Sequence, residues 1–454
     1  MVIESLKYKI LQQFGFAPTQ EQGQALDTFV SFLTDRDPQA VMILRGSAGT
    51  GKTSLSGAIV RTLLQIRQKV MLLAPTGRAA KVFSLGSGAP AYTIHRRIYR
   101  EKAFAGVDGQ FGLNDNLYTD TLFMVDEASM IANMGLGGTT FGSGCLLDDL
   151  VKFVYQGHND RLLLIGDKAQ LPPVGEEESP ALSASVMEGY GLKVYECDLN
   201  EVLRQSQSSG ILYNATLIRQ MITHDAVTGL PLIRFKGFAD IVMLPGAELV
   251  ESLGDSYHHV GMDETMVITR SNKRANIYNN GIRNMVLDRE EELSSGDMLM
   301  IVKNNYFWTE KEKKESGEGS AGAVPAFLAN GDRAKVLRVS NYIELYGFRF
   351  ATLLLQLPDY DDYEMQVTGM LDTLQSEAPA LTHEQQEELF RQVEEDYQHF
   401  VPLKADRMKS IRQDAYFNAL QIKYAYAVTC HKAQGGQWAH VYVDQGYMLS
   451  LIHI

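Results

Sequence analysis

Residues 46–53 read Gly46-Ser-Ala-Gly-Thr-Gly51-Lys52-Thr53, and no other stretch constrains the chain as strongly. The octet fits G-x-x-x-x-G-K-S/T and lies between an apolar strand-like run, Val41–Leu44, and a helical pattern. Its glycines let backbone N–H groups curl around phosphate oxygens, and the helix N-terminus adds partial positive charge. Lys52 is the candidate for neutralising the β- and γ-phosphates of ATP, and the Thr53 hydroxyl is the candidate ligand for Mg²⁺. Gly46, Ala48, Gly49, Thr50, Gly51 and Ser54 complete the candidate nucleotide contacts in this stretch.

The loop belongs to a longer alternation. Val41–Leu44, Val70–Ala74, Leu122–Val125 and Leu162–Ile165 are short apolar runs bounded by turn residues and separated by helical patterns. That is a βαβ series, which implies an α/β fold with a parallel sheet covered by helices on both faces. Residues 1–40 read as two helices broken at Pro18-Thr19, with Thr19 as N-cap. Residues 200–225 and Asn272–Leu287 also read as helices, and Met266–Thr269 as a buried strand. Residues 291–415 change character: strand-like Met298–Val302, Ala334–Val339 and Arg349–Leu357, a loop at Lys311–Gly322 and a charged helix over Thr382–Asp406 imply a small β-barrel-like insertion. Gly135–Gly144 reads as a glycine-rich surface loop.

Two more strand ends carry chemistry. Leu122-Phe-Met-Val125 delivers Asp126 and Glu127 at its C-terminal end, where ligands bind in α/β sheets. Beside a phosphate loop, Asp126 is the candidate holder of Mg²⁺ and Glu127 the general base that polarises the attacking water. Leu162-Leu-Leu-Ile-Gly166 ends in a turn carrying Asp167 and Gln170. A glutamine amide there can sense a γ-phosphate by donating one hydrogen bond and accepting another, although spacing alone favours a polar strand-end turn.

With 42 basic and 55 acidic side chains the net charge is −13, which argues against a protein that coats nucleic acid by bulk positive charge but leaves room for a local basic groove. The three cysteines, Cys145, Cys197 and Cys430, form no metal or redox spacing and fit a reducing compartment. The N-terminus lacks the apolar core of a signal peptide, and no stretch reaches the ~18 apolar residues of a membrane helix, so a cytoplasmic location is expected.

VDEAS at 125–129 and GDKAQLPPV at 166–174 together resemble motifs II and III of superfamily 1 helicases. Other segments follow in that family's order. Thr19-Gln20-Glu21-Gln22 is similar to the adenine-reading Q motif, Ala74–Lys81 to motif Ia, Thr93-Ile94-His95 to motif Ib, Leu199–Gln205 to motif IV and Tyr426–Gly435 to motif V. APTGRAAK, TIH and HKAQG point to the RecD/Dda-like group, superfamily 1B, whose members move 5′ to 3′ on single-stranded DNA.

The resemblance implies two RecA-like domains flanking the nucleotide. It places the first over 1–198, the second over 199–290 plus 416–454, and an SH3-like insertion over 291–415. It makes Gln22 and Gly435 nucleotide contacts, and it makes Arg204 and Gln170 readers of the γ-phosphate. Pro75, Thr76, His95, Thr429 and His431 become strand contacts, with Lys81, Arg96 and Arg97 adding local positive charge. A hairpin near 96–120 would offer Tyr99, Phe104 and Phe111 for stacking on bases or for packing of a small flap. The family's motif VI arginine has no counterpart, because no arginine follows Arg412; the expectation is a chain cut short before motif VI that hydrolyses ATP poorly. The implied activity is ATP-driven movement on single-stranded DNA with unwinding of tailed duplex, alongside replication or repair proteins. An ATP-gated strand binder and a small-molecule P-loop enzyme are the competing classes; the latter leaves motifs Ia, Ib and V unexplained.

Overall fold

The computed structural model describes residues 2–103, 110–134, 142–201, 209–223, 231–316, 324–325 and 327–445. They divide into two compact units between Leu244 and Pro245.

The first unit opens with α1 (Val2–Phe14) and α2 (Gln20–Leu33). Thr19 caps α2: its hydroxyl accepts from the Gln22 N–H while the Gln22 side chain accepts from the Thr19 N–H, a reciprocal box that fixes the helix start after Pro18. Then come β1 (Ala40–Gly46), α3 (Lys52–Gln65), β2 (Lys69–Ala74), α4 (Gly77–Ser87), β3 (Ala91–Thr93) and α5 (Ile94–Ile98). A two-stranded ribbon, β4 (Tyr99–Ala103) and β5 (Gln110–Leu113), precedes β6 (Thr121–Val125), α6 (Leu146–Gln156), β7 (Arg161–Gly166), α7 (Ala184–Gly189), β8 (Lys193–Leu199) and α8 (Gly210–Thr223).

Six strands form one sheet in the order β3-β2-β6-β7-β1-β8, and every pairing is parallel. This is the parallel α/β sheet expected from the βαβ alternation, and it fits the RecA-like domain that the resemblance implies. The central strands are apolar along most of their length because both faces are covered, with the buried Arg45 and Arg161 only at the ends of β1 and β7. Leu26, Phe29, Leu55, Leu63 and Phe83 pack on one face, and Ile94, Leu147, Leu150 and Leu182 on the other. Since all strands run the same way, the phosphate loop after β1, Pro75-Thr76 after β2, His95 after β3, Asp126-Glu127 after β6 and Asp167–Gln170 after β7 share one sheet edge.

The second unit contains α9 (Leu249–His259), β9 (Thr265–Thr269), α10 (Asn272–Gly281), β10 (Met298–Ile301), α11 (Phe307–Ser316), β11 (Arg333–Leu345), β12 (Phe348–Leu357) and β13 (Tyr363–Met370). It continues with α12 (His383–Gln398), α13 (Lys404–Arg412), β14 (Leu420–Tyr424), β15 (Ala427–Thr429), α14 (Cys430–Ala433) and β16 (His440–Val443). Strands β10 to β14 close into a barrel, and β15-β9-β16 form a parallel three-stranded sheet.

Three expectations need correction. The described residues of 199–244, assigned from the sequence to the second RecA-like domain, pack within the first unit: Glu21 accepts the backbone N–H groups of Asn200 and Glu201, and Arg219 on α8 reaches Ser47. Residues 420–424 fall beyond the expected insertion boundary at 415, yet β14 is the barrel's closing strand, antiparallel to β10 and parallel to β13. Finally, Lys311–Ser316 is not loop; it continues α11, begun by Phe307 and Trp308, whose rings anchor on the barrel core. Within Gly135–Gly144, residues 135–141 lie outside the described residues, as do Arg204 and Phe104.

Candidate active site

Backbone conformation shapes the phosphate loop. Gly49 and Gly51 both take left-handed φ, +83° and +84°. A Cβ on Gly46 would lie 2.8 Å from the Thr50 hydroxyl and 2.9 Å from Leu199 Cβ, so only glycine fits where β1 enters the loop. Thr50 is fully buried and its hydroxyl donates to the Ser47 carbonyl at 2.8 Å. Ala48, Thr53 and Ser54 face outward from the loop and the first turn of α3.

Lys52 lies across this loop. Its Nζ donates to the carbonyls of Gly46 at 2.5 Å and Ser47 at 3.0 Å. Burial pushes its pKa down, and the nearby Arg219 adds to that, although Asp167, Glu127 and Asp126 pull the other way. A lysine ammonium held among carboxylates and backbone oxygens is poised to exchange them for phosphate.

Asp126 and Glu127 follow β6. The Asp126 N–H donates to the Leu73 carbonyl at 3.0 Å, and its Oδ1 accepts the Glu127 N–H at 2.9 Å. Glu127 adopts φ +52°, a left-handed conformation unusual for a side chain of its size, which turns the backbone sharply after the strand. Burial pushes both carboxyls above their ordinary range; for Glu127 the Asp126 charge raises it further, while Lys52 and a hydrogen bond from Gln170 hold it down. The same Gln170 accepts the Ser129 hydroxyl at 3.2 Å. Gly166 makes this approach feasible, because a Cβ there would sit 2.9 Å from Leu182 Cδ1 and 3.1 Å from the Ser129 N. The Asp126 carboxylate and Thr53 hydroxyl are the hard oxygen donors that Mg²⁺ prefers.

Gln22 is buried, and its Nε2 donates to the Thr50 carbonyl at 2.9 Å. The α2 cap and the phosphate loop are therefore one hydrogen-bonded unit. Thr76 and Thr93 serve as N-caps, their hydroxyls accepting from Ala79 and Arg96. Burial pushes the His95 imidazole down to about 4, so it is neutral at pH 7. Tyr99 is buried and its hydroxyl donates to Asp149 at 2.7 Å, while Phe111 packs against the same core. These two rings hold the ribbon down. Thr429, His431 and Gly435 lie in the second unit, with Thr429 at the residue before α14, His431 exposed and Gly435 at φ +73°.

Sequence reading passed over three residues at the site. Ser129 was visible inside VDEAS but had no assigned role. Ser47 occupies a variable place in the loop pattern. Arg219 carries no motif signal; only the docking of α8 places its guanidinium on the Ser47 hydroxyl.

Family models match on both sides of the chain. An AAA domain model matches residues 17–229, and a UvrD-like helicase C-terminal domain model matches 424–453. These matches support the resemblance to superfamily 1B helicases of the RecD/Pif1-like group. The ATP-dependent RecD2 DNA helicase of Deinococcus radiodurans is 30% identical over 157 residues, covering 34% of this chain and 18% of that protein. An uncharacterized protein of Methanocaldococcus jannaschii is 33% identical over 168 residues, covering 34% of this chain and 13% of that one. The matched segment is thus under one fifth of the length of either relative. The crystal structure of a Pif1 helicase from Bacteroides covers 95% of this chain and 88% of its own, at 12% identity and a TM-score of 0.44. Among the described residues, no helix is long and apolar enough to cross a membrane.

Proposed function

We propose that this RecD-like helicase chain is an ATP-hydrolysing motor that moves 5′ to 3′ along single-stranded DNA and separates tailed duplex. The observation that carries the reading is the convergence of Lys52, Asp126, Glu127 and Gln170 at one sheet edge, where Gln170 accepts the Ser129 hydroxyl and lowers the Glu127 carboxyl. A loop built only to bind nucleotide needs Lys52; it does not need a buried carboxylate held in a strained turn beside a glutamine.

The chemistry follows from those groups. Glu127 takes a proton from a water whose oxygen bonds to the γ-phosphorus. The bond from that phosphorus to the β–γ bridging oxygen breaks, and ADP keeps the electron pair. Lys52 neutralises charge on the β- and γ-phosphates. Thr53 and Asp126 are the residues that would hold Mg²⁺, which supplies further neutralisation when bound. Arg204 completes the γ-phosphate contacts and Gly435 those to the nucleotide.

Movement needs nucleotide-dependent grip. Pro75, Thr76 and His95 follow the β2 and β3 strand ends, close in sequence to the helices that carry Lys81, Arg96 and Arg97. Thr429 and His431 supply contacts from the second unit. Different affinity of the ATP and ADP states for the strand is what converts hydrolysis into steps. The helicase named in Deinococcus radiodurans supports this reading over the matched third of the chain. Glu127→Gln tests it: nucleotide binding should persist and unwinding should cease, and retained unwinding removes Glu127 from the base role.

A further inference from the structure

We infer that Arg219 is a second cation on the phosphate loop, a finger supplied by the same compact unit that reads the terminal phosphate of ATP. This rests on the ATPase reading above. Arg219 stands on α8, beyond every motif that marks the nucleotide site. Its Nη1 donates to the hydroxyl of Ser47, the second residue of the loop, which is 8% exposed. The carbonyl of that same Ser47 accepts from Lys52 Nζ at 3.0 Å. One loop residue therefore holds the two cations, the guanidinium by its side chain and the ammonium by its backbone. Their proximity is strong enough that Arg219 helps to lower the Lys52 pKa.

The arrangement carries its own reason. Two cations placed side by side repel, and Asp126, Glu127 and Asp167 offset that only in part, since the Lys52 pKa is still held down. A polyanion on the loop relieves both at once, and the groups that Lys52 serves are the β- and γ-phosphates. Arg219 brings a planar donor fork to the same loop, the geometry suited to a phosphoryl group.

The position of α8 is built rather than incidental. Ser209 caps its first turn, accepting the Leu212 N–H at 3.1 Å, and Asp240 accepts both the Ser209 hydroxyl and the Gly210 N–H at 2.7 Å. Asn214 is buried and pairs with Arg234 in both directions, donating to its carbonyl at 2.9 Å and accepting its N–H at 2.8 Å. Gly210 lets the helix lie against Phe238, where a Cβ would come within 2.7 Å of the ring carbon. These contacts fix the helix on the segment 231–241 and so fix where Arg219 points.

The test compares ATP and ADP affinity and single-turnover ATP hydrolysis in the full chain, in Arg219→Ala, in Arg219→Lys and in Lys52→Ala, with thermal unfolding recorded for each. The expected result is that Arg219→Ala binds ADP as the parent does, loses at least tenfold in preference for ATP over ADP, and slows hydrolysis by about 10³-fold, the lower end for arginine fingers. Arg219→Lys should recover the ATP preference in part and the rate hardly at all, because an ammonium keeps the charge but not the fork. Equal weakening of ADP and ATP would overturn the inference and leave Arg219 as a brace for the loop. So would unchanged hydrolysis in Arg219→Ala while Lys52→Ala is inactive. If the parent chain binds no ATP, or Lys52→Ala matches it, the ATPase reading itself fails.

Discussion

The side-chain oxygen of Gln170 accepts the Ser129 hydroxyl at 3.2 Å, which ties the turn after β7 to the turn after β6. Because Gln170 also lowers the Glu127 carboxyl, one amide acts on the candidate base as well as on the Ser129 turn.

That amide should be worth a measurable rate. Gln170→Ala should lower ATP turnover by about 10²-fold, the usual scale for loss of one positioned donor, and Ser129→Ala by less. The double variant should be no slower than Gln170→Ala, since both act through one bond chain; steady-state phosphate release measures all three.

The same bond sets a pH dependence. Burial and the Asp126 charge raise the Glu127 carboxyl, and the Gln170 bond lowers it. A base works only when deprotonated, so hydrolysis should fall as pH drops, at a pH above that of an ordinary glutamate. Removing Gln170 removes a lowering influence. The acid limb of the kcat profile in Gln170→Ala should therefore move to higher pH, and a shift downward would contradict the assignment.

His95 predicts a different pH effect. Its imidazole is held at about 4, against 6.5 for the free side chain. Between those values the unfolded chain binds a proton that the folded chain lacks, so stability rises with pH across that window and is complete above it. His95→Phe should flatten this rise relative to the parent by about 3 kcal/mol in denaturant titrations. Because His95 is neutral at pH 7, its loss should weaken strand binding without reducing the salt slope, whereas Arg96→Ala or Arg97→Ala should reduce that slope.

The barrel unit rests on one buried carboxylate. Asp297 is fully buried, pairs with Arg283 at 3.0 Å and Arg289 at 2.6 Å, and accepts the Tyr426 hydroxyl at 2.8 Å. Asp297→Ala leaves these cations without their carboxylate and should cost about 3–5 kcal/mol. Calorimetry should show a lowered transition, with ATP binding by the first unit retained.

Much of this was legible because the constraint was local. The phosphate loop, the apolar runs of β1, β2, β6 and β7, and the Thr19 cap each announce themselves within a few residues. The short β3 and the half-exposed β8 do not, because their identity comes from pairing with β2 and β1. Strand β14 looks like the start of another parallel sheet until its antiparallel partner β10 is seen. The Arg219 contact is the extreme case. It joins positions 172 residues apart through a helix whose sequence names no ligand.

The central claim is ATP-driven movement in one direction, and strand displacement from 5′-tailed and 3′-tailed duplexes measures it most directly. The account predicts ATP-dependent opening of the 5′-tailed duplex alone, abolished by Lys52→Ala and by Glu127→Gln. ATP-dependent binding to both tails with no strand displacement from either would contradict it and leave a nucleotide-gated DNA binder in its place.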